Sequence, residues 1–222
     1  MVDGSGLPGW RRVLAVVAHP DDESFALGAL LDRFVDSGAE VSVLCLTRGE
    51  ASTLGADAVD LVAVREAELR AASTVLGLAG STLLDHPDGG LSEPALSGVL
   101  TAEVSAEIER TGPDGLLVFD PLAGVTGHRD HTAASCAAVA AAGRDGLPVL
   151  GWALPDSVAR RLNAEHSAGF AGYAAGQLIR VPVSRERQLD AVREHASQAV
   201  PGSVLWRRLE LLGHTEYVRR IA

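Results

Sequence analysis

Two short clusters bring residues of the right type and spacing for metal chemistry. The first is "AHPDDE", with His19, Asp21, Asp22 and Glu23 following an apolar run. Three consecutive acids repel one another unless a positive charge or a proton sits among them. His19 and Asp22 are three apart where the chain leaves a strand, and a histidine with a carboxylate suits zinc or a similar divalent ion. Asp21 and Asp22, being adjacent, should point differently, so that one binds metal while the other faces water. The second cluster is "GHRDH", with His128 and His131, again three apart. A mononuclear catalytic metal takes three protein ligands and keeps one open position. One histidine of this pair can complete the set, leaving the other beside the open position to serve the leaving group or the oxyanion. A capped helix start accounts for HPDD alone and a solvated helix start for HxxH alone; together, at two strand ends, they read as a site.

Elements with suitable periodicity flank these clusters. Val13–Ala18 is apolar enough to be a strand buried on both faces, and Val41–Leu46, Ser81–Leu84, Leu116–Phe119 and Val149–Leu154 read as further strands. Between them, Glu23–Ser37, Leu61–Leu76, Glu93–Arg110 (with Ser92 as its cap) and His131–Ala142 read as helices. This alternation predicts an α/β, Rossmann-like three-layer sandwich, a mostly parallel sheet with helices on both faces. Past Pro155 the pattern loosens, with a helix at 156–164, a strand at Leu178–Val183 and helices at 185–199 and 204–212. The whole is read as one domain, 13–154 carrying the metal site and 155–222 shaping the pocket. Ligands of open α/β sheets sit beyond the carboxyl ends of the strands, where His19–Glu23, Thr47–Glu50, Asp85–Asp88 and Asp120–His131 all fall.

Composition narrows the function. The 222 residues carry a formal net charge of −10, against nucleic acid and anionic membrane as partners. The chain has no lysine, which excludes Schiff-base chemistry and a P-loop. It also counts against a phosphoacceptor receiver domain, which pairs acids after its first strand but needs a lysine after its fifth. A metal-binding module without catalysis is the other alternative, and an intact Asp21 speaks against it. Cys45 and Cys136 read as two buried thiols. No apolar run is long enough to span a membrane, and the start "MVDGSGLPGWRR" has no leader pattern, so the cytoplasm is expected.

In order, "AHPDDE", "TRGE", "VREAELRAASTVLGL", "PDGGL", "GHRDH" and "REHASQ" resemble the PIG-L/LmbE family of zinc-dependent N-acetylglucosaminyl de-N-acetylases, which includes the mycothiol- and bacillithiol-pathway deacetylases. The resemblance runs from about residue 13 to 198. It implies a hydrolase that removes an acetyl or other N-acyl group from an amino-sugar conjugate, with one Zn2+ per chain and Fe2+ as the alternative metal. It implies His19, Asp22 and His131 as metal ligands, Asp21 as general base, and His128 as the residue that stabilises the oxyanion or protonates the amine. Arg65 and Asp88, with Glu50 as a weaker candidate, match positions that contact the sugar. The implied partner is a small N-acetyl sugar conjugate, with a homo-oligomer left open. Two departures stand out. Arg129 replaces the usual proline of the second motif, and Thr126 stands where some relatives carry a mobile tyrosine, whose part would then fall to Tyr173 or Tyr217. His195 reads as a brace, and His86, His166 and His214 carry no assigned role.

Overall fold

The computed structural model describes residues 6–54 and 59–221; the first residues of the expected leader-free start, 1–5, lie outside them. Among the described residues seven strands form one sheet: β1 (Arg12–Val17), β2 (Glu40–Thr47), β3 (Gly80–His86), β4 (Gly115–Phe119), β5 (Val149–Trp152), β6 (Ile179–Pro182) and β7 (Thr215–Arg220). Their order is β3-β2-β1-β4-β5-β7-β6. The first five are mutually parallel, and β7 runs antiparallel to both β5 and β6. The strand β7 is absent from the sequence reading.

β1 shows why the sheet lies in the middle. Val13, Ala15 and Val17 enter one core and Leu14, Val16 and Ala18 the other, all buried. Strict alternation with no polar face requires helices on both sides. The helices are α1 (Asp22–Phe25), α2 (Gly28–Asp36), α3 (Leu61–Leu76), α4 (Ser97–Thr111), α5 (Arg129–Asp145), α6 (Asp156–His166), α7 (Glu186–Glu194) and α8 (Val204–Leu212). Leu30, Phe34, Leu69, Leu76, Leu162 and Ala191 close the first core. The other is closed by α4 and α5 through Leu100, Val104 and a run of alanines, Ala134 to Ala142. Small alanines let α5 approach the sheet closely, which sets the depth of its N-terminus and so of His131.

Several expected elements differ. The helix expected at Glu23–Ser37 is broken: Leu27 N–H bonds back to Asp22 O, and a fresh helix starts at Gly28. The carbonyls freed at the break are satisfied from elsewhere, since the Gln188 amide donates to Ser24 O and Phe25 O. The helix expected from Glu93 begins instead as a 3-10 turn, Pro94–Leu96, preceded by Glu93 rather than capped by Ser92, and no side chain caps it. That expected over 185–199 stops at Glu194, where the chain turns to bury His195. Cys45 is buried as expected, but Cys136 is exposed, because it lies on the outward side of α5.

Candidate active site

The loop after β1 is shaped by Asp22. Its Oδ2 accepts from the N–H groups of Ala18 and His19, at 3.2 and 2.9 Å. The carboxylate thus folds the strand end around itself and leaves Oδ1 free. Asp21 has φ 141°, a conformation that costs a non-glycine residue on the order of 1–3 kcal/mol. Arg65 holds it there, its Nη2 donating to Asp21 Oδ2 at 2.8 Å and to Pro20 O at 2.6 Å. Nη1 of the same guanidinium donates to Gly49 O at 2.7 Å. A Cβ at position 49 would lie 1.9 Å from that nitrogen, so "TRGE" needs its glycine for Arg65 to pass. The Asp21 N–H donates to Glu23 Oε2 (3.0 Å), and Glu23 Oε1 meets His195 Nε2 at 2.7 Å in full burial. His195 therefore braces the loop.

The second motif arrives on α5. His128 caps this helix: its Nδ1 accepts from Asp130 N–H at 3.2 Å, so Nε2 carries the proton of the neutral ring. His131, one turn in, points at His19. Its Nε2 lies 3.2 Å from His19 Nδ1 and 3.1 Å from Asp22 Oδ1, and His19 Nδ1 lies 3.6 Å from Asp22 Oδ2. Ligands at 2.0–2.1 Å from a tetrahedral ion stand about 3.3–3.4 Å apart. The two imidazole nitrogens stand at about that spacing, and Asp22 turns Oδ1 to His131 and Oδ2 to His19, so the three side chains suit one shared divalent ion.

The opposite ring nitrogens support that assignment. His131 Nδ1 is 2.7 Å from Thr126 Oγ1, which fixes the ring and leaves Nε2 to act as a donor of electrons. His19 Nε2 faces Asp88 Oδ1 at 3.1 Å and Asp130 Oδ2 at 3.5 Å. Among the described residues, two other groups have ligand atoms close enough to share an ion: His19, His128 and His131, and, on this side, His19, Asp88 and Asp130. Three of the four carboxylate oxygens in the latter group already accept hydrogen bonds: Asp130 from Gly89 and Leu91 N–H, and Asp88 Oδ2 from Ala51 N–H. Asp88 and Asp130 stand where carboxylates stand behind a metal-bound histidine, near His19 Nε2 but without a well-aligned hydrogen bond to it.

These neighbours shift the titrations. Burial alone would raise Asp22, but the rings of His131 and His19 override it and hold the carboxyl well below the usual range. Burial alone would lower His19, and the carboxylates of Asp130, Asp22 and Asp88 raise it well above the usual value. For Asp21, burial outweighs the Arg65 cation and pushes the carboxyl up to about 6. Burial, with the His19 and His131 rings close by, lowers His128.

His19, Asp21, Asp22, Arg65, Asp88, His128 and His131 line one cleft of about 330 Å³, together with Ser52 and Gln198. Glu50 is outside that lining. Its carboxylate accepts from the Asp88 N–H at 2.9 Å and so supports the loop that carries Asp88. Tyr173 and Tyr217 are outside it too; the Tyr173 hydroxyl is taken up by Asp120 at 2.7 Å. His86 pairs with Glu103 on α4. Sequence reasoning missed the supporting roles of Asp130 and Thr126 and the presence of Gln198 and Ser52, which bond each other at 2.8 Å. Asp130 had a signal, as the acid inside "GHRDH"; Gln198 had one in "HASQ", and Ser52 had none.

Known proteins resemble this chain to different extents. The family profile described as PIG-L, GlcNAc-PI de-N-acetylase, matches residues 14–142. A 1D-myo-inositol 2-acetamido-2-deoxy-alpha-D-glucopyranoside deacetylase of Tsukamurella paurometabola is 33% identical over 65% of this chain and 60% of its own. The namesake from Nakamurella multipartita is 30% identical over 95% of this chain and 89% of its own. The chain spans 50–60% of the length of the first three such relatives. The crystal structure of the A40926 pseudoaglycone deacetylase Dbv21 superposes with a TM-score of 0.72 at 21% identity, covering 96% of this chain and 99% of that one, which is a likeness of fold. By the extent of the profile match, which includes both histidine motifs, the chain belongs to the PIG-L family.

Proposed function

We propose that the protein is a metal-dependent hydrolase that removes an N-acetyl group from an amino-sugar conjugate. The observation that carries this reading is the convergence of His19 Nδ1, Asp22 Oδ1 and His131 Nε2 beside Asp21 and His128 in one cleft. His19, Asp22 and His131 would hold one divalent ion, with zinc or ferrous iron both suited to two imidazoles and a carboxylate. Such an ion supplies Lewis acidity, making water more acidic and polarising the amide carbonyl.

The side chains of this protein do the rest. Asp21, fixed by Arg65, takes a proton from the attacking water and returns it to the departing amine. Its anchoring in a strained backbone prevents it from folding back as a further ligand. His128 directs Nε2–H toward the oxygen that becomes negative in the transition state, a role that suits a neutral ring. The Arg65 cation and Asp88 form the walls where sugar hydroxyls would bind, and Asp88 also steadies His19.

Residues 13–154 carry the chemistry in this reading, while 155–222 shape the pocket by supplying Gln198. A small sugar conjugate is the partner and the cytoplasm the compartment; the charge of −10 supports a small substrate over a polyanion. Among the described residues no helix is long and apolar enough to cross a membrane. Since related deacetylases act on 2-acetamido-2-deoxy-glucopyranosyl inositol, that compound is the first to test. The experiment measures amine release from it, with and without a chelator. Release that stops on chelation and returns with zinc or iron is expected. No release from any N-acetyl amino sugar by metal-loaded protein would refute the reading.

A further inference from the structure

Asp22, His128 and His131 also border a second cavity, of about 460 Å³. Most of its remaining wall is carbon: Phe25, Phe119, Phe170, Val204 and Leu205. That volume is about three times the ~150 Å³ that accommodates a benzene, so an acetyl methyl leaves most of it empty. One cation interrupts the wall. Arg208 on α8 is 5% exposed. Its Nη2 donates to Phe25 O, and its guanidinium lies 5.0 Å above the centre of the buried Trp152 ring. Its Nε is buried with no partner. Among the described residues no carboxylate pairs with it directly, although Glu216 and Asp22 act on it at longer range, and burial pulls it down to about 10. A guanidinium buried without a counter-ion is costly, and an anion entering the cavity would relieve that cost.

We propose that this cavity is an acyl subsite in which Arg208 pairs with the carboxylate of a short aliphatic acid. The inference rests on the deacylase reading above. The carboxylate has two sources. It is either the far end of a diacid acyl group, such as succinyl, or the acid released when water adds across the amide and the nitrogen leaves as amine. The continuity of the cavity with the candidate ligands places an acyl chain there in both cases.

The test titrates chelator-treated, full-length protein with butyrate and with succinate by calorimetry, so that no metal competes for the carboxylate. Saturable binding is expected, at least ten-fold weaker in Arg208→Gln and in Leu205→Trp. The second variant keeps Arg208 and fills the cavity, so it decides the matter if Arg208→Gln fails to fold. Equal affinity in wild type and both variants, or no binding to wild type, overturns the subsite. The kinetic arm compares N-acetyl, N-butyryl and N-succinyl glucosamine conjugates on metal-loaded enzyme. Loss of the N-succinyl rate alone in Arg208→Gln identifies the diacid acyl group. Unchanged rates with at least ten-fold weaker inhibition by butyrate identify the released acid. Uniform loss on all three, with acid binding unchanged, overturns the role of Arg208. Protein inactive on every amide that still binds acids through Arg208 refutes the deacylase reading and leaves the subsite standing.

Discussion

Two regions of this molecule bury charge, and they do it differently. At the carboxyl ends of the parallel strands, His19, Asp22 and His131 turn electron-pair donors toward one point, two imidazoles around one carboxylate. At the antiparallel end, charges are matched. Arg185 Nη1 meets Glu216 Oε1 at 2.6 Å and Gln188 Oε1 at 2.6 Å, and Trp152 Nε1 donates to Glu216 Oε2 at 2.9 Å. Both Glu216 and Gln188 are fully buried. The first arrangement gathers lone pairs that a bound cation would unite; the second is satisfied by the fold itself. The contrast implies that substitutions in the rim change metal binding and turnover, whereas substitutions in the matched network change stability.

The largest effect should come from the ligands. Asp22→Ala removes a candidate ligand and the carboxylate that folds the β1 loop, and it should cut metal affinity well beyond the 10- to 100-fold typical of supporting residues. Equilibrium dialysis against zinc measures it. Asp21→Asn should lower kcat about 10²- to 10⁴-fold, the range for loss of an acid–base group, with metal content unchanged. His128→Ala should lower kcat by about 10²- to 10³-fold with little change in KM; an unchanged kcat would leave His128 as a wall of the pocket only.

The matched network gives the next prediction. Glu216→Gln leaves Arg185 buried without its counter-ion, a loss of about 3–5 kcal/mol. For a chain of this size each kcal/mol is worth about 2–4 °C in Tm, so calorimetry should show a fall of roughly 10 °C. Turnover per folded molecule should hold. If kcat collapses while Tm is unchanged, the division between the two regions is wrong.

A smaller effect is expected on α4. Arg110 and the Thr82 hydroxyl bond the Glu107 carboxylate, which holds it below its usual range. A carboxyl lowered by folding stabilises above its unfolded value, and that contribution is lost as pH falls through the folded one. Glu107→Gln should therefore cost on the order of 1 kcal/mol at neutral pH, and the gap to wild type should narrow under acid. Urea titrations at pH 7 and near pH 3 test it; a gap that widens under acid would contradict the sign.

What could be read from the sequence follows from how local each signal is. The parallel strands and the position of HPDD and GHRDH at their ends are written in short runs, because the inner strands, buried on both faces, have few polar interruptions, while the half-buried edge strand β3 shows the pattern more weakly. The strand β7 was missed because "TEYVRR" alternates weakly and owes its state to partners far away in sequence, β5 and β6. The break between α1 and α2 depends on Gln188, more than 160 residues downstream. Thr126 was noted for the tyrosine that it lacks, while its bond to His131 shows only in three dimensions. Nothing local in the sequence marks Arg208, whose burial beside the Phe25 carbonyl depends on the packing of α8.

The most direct test is the metal content of three proteins purified alike: wild type, Asp21→Asn and Asp22→Ala. Two side chains next to each other in sequence are assigned opposite duties, one turned to Arg65 and the other to His131. Elemental analysis should find about one divalent ion per chain in wild type and in Asp21→Asn, and close to none in Asp22→Ala. Metal lost from Asp21→Asn but kept by Asp22→Ala, or absent from wild type even after titration with zinc and iron, would contradict the account.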